Sequence, residues 1–110
     1  MVQLWVDLFS RHHTMNTATV LETGAFALGT IVQTRGAQAE LSRDEVLAAL
    51  QRHVTGDWGN VCEEDRQTNN EAITSGSRLL SSYTSKSGTD FWIITEADRS
   101  TTTILLPEEY

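Results

Sequence analysis

Apolar and β-branched positions crowd into three short runs near the end of the chain: RLLSSYTS at 78–85, FWIIT at 91–95 and TTTILL at 101–106. Turn-forming residues separate them, Ser87-Gly88-Thr89 in the first gap and Ala97-Asp98-Arg99-Ser100 in the second. Short alternating runs joined by such turns predict a three-stranded antiparallel meander. In the middle run Phe91, Ile93 and Thr95 alternate with Trp92 and Ile94, so both faces are apolar, as a central strand requires. Thr101, Thr102 and Thr103 favour a pleated backbone through branching at Cβ. Pro107 ends the last run because it has no N–H to donate.

Upstream the period changes. The stretch 26–34, FALGTIVQT, reads as a candidate fourth strand in which Gly29 marks a bulge or a close backbone approach. One or two helical turns fit 37–41. Ser42 with Glu45 three positions later forms a capping box, and Val46, Leu47, Leu50 and Val54 then fall on one stripe, which predicts a helix over 43–55 ended by Gly56. His53 lies at the edge of that stripe. A second helix over 63–74 opens on Glu63, Glu64 and Asp65, where the helix dipole favours negative charge, and stops at Ser75-Gly76. Between the helices, Trp58 is the expected anchor of a loop. The sum is an α+β domain over 17–110, an antiparallel three- to four-stranded sheet packed by two helices.

The first sixteen residues stand apart as an arm or leader. Leu4, Trp5, Leu8 and Phe9 have helical spacing, yet a second methionine follows at Met15, so the segment reads either as an amphipathic arm or as a leader before the natural start. Asp7 interrupts its apolar stretch and Arg11 follows rather than precedes it, which does not fit an export signal. His12 and His13 are neighbours that point to different sides of a helix and have no third ligand near them in sequence, so no metal is expected. The single cysteine, Cys62, excludes an internal disulfide and a multi-cysteine zinc site. No apolar run approaches membrane-spanning length. These features lead us to expect a cytoplasmic protein without a cofactor.

Charge narrows the partners. The 110-residue chain carries −7, and from Asp57 onward ten acidic residues stand against four basic ones. Such a surface repels phosphate backbones, so direct DNA binding is not expected. It serves either solubility or a basic protein partner. The second helix has few apolar positions, which leaves Glu63, Glu64, Asp65, Asn69 and Asn70, with Glu108 and Glu109 past the last strand, as candidate binding residues. Carboxylates on a helix and a tail can imitate DNA phosphates to a basic groove, as anti-restriction and anti-CRISPR proteins do.

The segments GDWGNVCEEDRQTNNEAI, GSRLLSSY and FWIITEADRSTTTILLPEEY resemble a family of small bacterial plasmid-related proteins of mobile genetic elements. The likeness runs over 26–110 and leaves out everything before Met15. The resemblance brings no activity with it; the polar second helix and the acidic C-terminal half lead us to expect a non-catalytic interaction protein that counters or modulates a nucleic-acid-binding host system. The restriction label sometimes given to such proteins implies a methyl-donor glycine loop or a nuclease carboxylate–lysine pattern, and neither can be placed in this sequence. The enzymatic alternative is a small metal-independent ribonuclease resembling bacterial toxins in layout. In it His53 is the general base, Arg78 stabilises the phosphate, and Ser82, Tyr83 and Thr102 line the strands.

Overall fold

The computed structural model describes residues 24–110, so the arm at 1–16, with its apolar stripe and His12-His13, lies outside the described residues. Local signals set the helices. Thr34 caps the short helix α1, Arg35–Glu40, by accepting from the Ala37 N–H at 3.1 Å. Ser42 and Glu45 exchange both bonds of the expected capping box at the start of α2, Arg43–Val54. The third helix, α3, spans Glu63–Ser75 and ends on Gly76 at φ 83°, the left-handed conformation that favours glycine.

Among the described residues four strands form one sheet: β1 Thr30–Gln33, β2 Leu79–Thr84, β3 Asp90–Thr95 and β4 Thr101–Leu105, in the spatial order β1-β4-β3-β2. The predicted meander is present as β2-β3-β4, antiparallel throughout, with β3 inside the sheet. The fourth strand corrects the purely antiparallel expectation, because β1 pairs with β4 in parallel and the sheet is mixed. Between β1 and its partner β4 the chain builds all three helices and then β2 and β3, a connection long enough to bring two strands together in the same direction. Among the described residues three helices, rather than two, accompany the sheet. Gly29 serves a close approach and not a bulge: at φ 68°, a Cβ there would stand 2.3 Å from the Ser100 carbonyl oxygen.

The helices cover the face that carries Tyr83, Phe91, Ile93 and Ile104, which form one core with Leu28, Val46, Leu50 and Val54. Trp58, Ala72 and Leu79 make a smaller cluster beside it, and Phe26 packs against both. On the opposite face Val32, Ile94 and Leu105 are buried, while Trp92 is only half-buried.

The outer edge of β2 is closed by an unusual pairing. Asn69 on α3 donates from Nδ2 to the Leu80 carbonyl at 2.8 Å and accepts from the Leu80 N–H at 3.2 Å, so one carboxamide replaces a neighbouring strand. Two residues on, the Ser82 N–H donates to the Trp58 carbonyl and the Asn60 N–H donates to the Ser82 carbonyl. Backbone groups that would template another chain are thereby spent inside the domain.

Candidate functional site

His53 is the residue on which an enzymatic reading turns, and α2 carries it inward. Val46, Ala49, Leu50, His53 and Val54 are the buried positions of that helix, so its true stripe passes through His53 rather than beside it. The ring is fully buried. Its Nδ1 lies 2.6 Å from Ser81 Oγ and its Nε2 lies 2.9 Å from Thr95 Oγ1. Thr95 Oγ1 is 2.7 Å from Thr102 Oγ1, which donates to the Leu28 carbonyl at 2.7 Å.

The end of this chain fixes every proton in it. A carbonyl only accepts, so the Thr102 hydroxyl spends its hydrogen on Leu28 and must accept from Thr95. Thr95 then accepts from His53 Nε2–H, which leaves Nδ1 bare to accept from the Ser81 hydroxyl. His53 is therefore the Nε2–H tautomer. Burial pushes its pKa from 6.5 down to about 3, and the positive charge of Arg99 acts in the same direction. A serine hydroxyl bonded to a neutral imidazole is the form of a nucleophile and its base. Here Ser81, His53, Thr95 and Thr102 are all 0% exposed, so the group holds the sheet to α2 and meets no solvent.

The other residues of the ribonuclease reading do not converge on it. Arg78 is exposed and donates to the Tyr110 hydroxyl at 2.7 Å, with its guanidinium over the Tyr110 ring. Ser82 stands opposite Trp92, while its neighbour Ser81 points to His53 on the other face. Tyr83 is buried, donates to the Asp57 carbonyl at 2.6 Å and lies under Arg52; burial raises its pKa. Thr102 joins His53 only through Thr95. A cleft of about 150 Å³ between α2 and the β2–β3 hairpin is lined by Glu45, Arg52, Tyr83, Lys86 and Phe91 and excludes His53.

The cation beside His53 is Arg99, which sequence reasoning passed over as a turn residue. It sits at φ 62° and donates to the Ala72 carbonyl at 2.7 Å and to the Ser77 carbonyl at 2.6 Å, capping the end of α3. A non-glycine residue in that conformation is the sort of local strain the surroundings must hold in place. The flanking turn composition was visible, but a partner 27 residues away was not.

The candidate binding residues divide in two. Asn69 is buried and committed to Leu80, and Asn70 accepts from the Trp58 indole N–H at 2.8 Å, so both amides work within the chain. Glu109 also turns inward: its carboxylate accepts from Thr34 Oγ1 and from the N–H groups of Gly36 and Leu106. Burial would raise its pKa, but these three bonds outweigh burial and hold it below the ordinary value. Glu63, Glu64, Asp65 and Glu108 remain exposed. Glu63 pairs with Arg66 at 3.0 Å one turn on, a solvent-facing pair of small worth. Among the described residues no group of three metal-ligating side chains occurs, and no helix is long and apolar enough to cross a membrane. No family model, curated protein or solved structure matches this chain.

Proposed function

We propose that the chain is a non-catalytic interaction protein of a mobile genetic element. It acts in the cytoplasm and engages a basic protein partner of a nucleic-acid-handling host system through the acidic first turn of α3. The observation that carries this reading is the exposure of Glu63, Glu64 and Asp65 together on a helix end that has no core duty, since α3 buries only Asn69 and Ala72. The ribonuclease reading needs His53 in contact with substrate, and its burial takes away that support.

The experiment compares the wild-type protein with the Glu63→Lys, Glu64→Lys, Asp65→Lys variant, each immobilised and exposed to extract of the native host. A basic protein retained at low salt should elute as the salt is raised, because exposed charges are screened beyond a Debye length of about 8 Å at physiological ionic strength. The variant should fail to retain it. Far-ultraviolet circular dichroism checks that the variant is folded, since lysines there oppose the helix dipole. Equal retention by a folded variant, insensitive to salt, refutes the reading.

A further inference from the structure

Three buried side chains have no place in either core. Val32, Ile94 and Leu105 are only 2%, 3% and 2% exposed, yet neither apolar cluster contains them. The strand register makes them one patch: Val32 and Ile94 both stand beside Thr103 on β4, and Leu105 lies opposite Trp92. This is the face of the sheet turned away from the helices. Side chains in the middle of a sheet face become so inaccessible only where other atoms lie on them. Ala37 and Leu41 of α1 and the apolar stripe of α2 belong to the first core, and Ala72 of α3 belongs to the second, so all three described helices pack on the other face or beside it. Past β4 come the turn Pro107–Glu109 and Tyr110. Glu109 is clasped on Thr34 at the end of β1, and Tyr110 lies against Trp92 toward β2 and is itself 68% exposed, so these four residues do not seal Val32 on the outer strand. The exposures are those of one chain alone, so the cover belongs to the chain itself, and what remains of it is residues 1–23.

We propose that the arm at 1–16 docks across this second face of the sheet, with Leu4, Trp5, Leu8 and Phe9 seated on Val32, Ile94 and Leu105. Those four apolar residues recur at the spacing of one helix face, and Gln3, Asp7 and Ser10 fall on the opposite side, so a single stripe is offered to a single patch. The connection is long enough. Residues 17–23 span about 23 Å when extended, and they join at Gly24, next to Ala25, whose N–H is bonded to the Val54 carbonyl at the end of α2. Layers of a domain stack about 10 Å apart, so this length carries the chain from the helix layer past the sheet to its far face. A sheet covered on both faces also accounts for a central strand that is apolar on both of its sides. The acidic turn of α3 takes no part in this contact, so the proposal stands apart from the binding reading.

Magnetic resonance on the full, isotope-labelled chain tests the contact directly. Ring protons of Trp5 and Phe9 should show nuclear Overhauser contacts to the methyl groups of Val32, Ile94 and Leu105, and a mixture of labelled and unlabelled copies should show none between chains. In urea melts of the full chain, Trp5→Ala and Phe9→Ala should each raise the unfolding constant roughly tenfold or more, because truncating a packed ring both leaves a gap and uncovers the patch. If a variant does not fold, the contacts in the wild-type chain decide alone. The proposal fails if the ring-to-methyl contacts are missing, or if they occur only between copies, which would make a second copy the cover. It fails equally if both folded variants stay within about twofold of the wild-type unfolding constant, as substitutions on a free surface do.

Discussion

Acidification should destabilise this domain through His53. The folded pKa lies at about 3 against an ordinary 6.5, so the neutral ring is the form that fits the core. Above pH 6.5 neither state binds the proton and the full stability is present. Between 6.5 and about 3 the unfolded chain takes up a proton that the folded chain refuses, so stability falls as the pH falls, and it levels off below about 3. One such proton changes stability by about 1.4 kcal/mol per pH unit, so lowering the pH from 7 to 4 removes about 3 kcal/mol. That is a large part of the roughly 5–15 kcal/mol that holds a domain together. Carboxylates with lowered pKa, Glu45 and Asp57 among them, also lose stabilisation in acid, so a reference is needed. His53→Gln supplies it, because its amide keeps one donor and one acceptor and does not titrate. Urea melts of both proteins from pH 7 to 4 should give curves whose difference shrinks with the stated slope. Parallel curves would refute the claim that the imidazole is sealed and neutral.

Two further substitutions test the seams of the fold. Asn69→Ala strands the N–H and C=O of Leu80 on the edge of β2 and should cost about 1–3 kcal/mol in urea melts, with concentration-dependent association as the freed edge pairs; a loss under about 0.5 kcal/mol without association would show that the edge needs no closure. Glu109→Gln places an NH₂ against a donor and should cost about 1 kcal/mol at pH 7, discounted because the site is partly solvated. Since its folded pKa is lowered from 4.5, that difference should be present above pH 4.5 and vanish as the pH falls through the folded value, and a difference that persists in acid would refute the clasp.

What the sequence disclosed was what short range determines. Ser42 and Glu45 announce α2 because both partners of the capping box lie within four residues, and FWIIT announces a central strand because its two faces are apolar in the same five positions. The direction of β1 was illegible, since alternation looks the same read either way and its partner β4 lies beyond three helices. Counting Leu47 into the stripe puts His53 on its edge; the spacing of 46, 49, 50, 53 and 54 is the better fit to a helical period, and Leu47 is only partly buried. Asn69 and Glu109 are polar residues in polar surroundings, and nothing local says that one stands in for a strand and the other clasps Thr34, 75 residues away.

The polarity of α3 then has a division of labour. Asn69 and Ala72 meet the sheet, Ile73 is half-buried beside Trp58, and Asn70 is held by the Trp58 indole, so the second half of the helix carries its packing. The first turn carries none. Charges at Glu63, Glu64 and Asp65 stabilise the helix start by a few tenths of a kcal/mol each through the dipole, far less than one buried side chain contributes. Their removal therefore leaves the core alone, which is the condition for reading a loss of binding at that turn as the loss of a contact rather than of the fold. The opposite holds at His53, where any substitution changes a buried hydrogen-bond chain first. A functional surface on this molecule is to be sought where side chains can be exchanged without moving the core, and the acidic turn of α3 meets that condition whereas the imidazole does not.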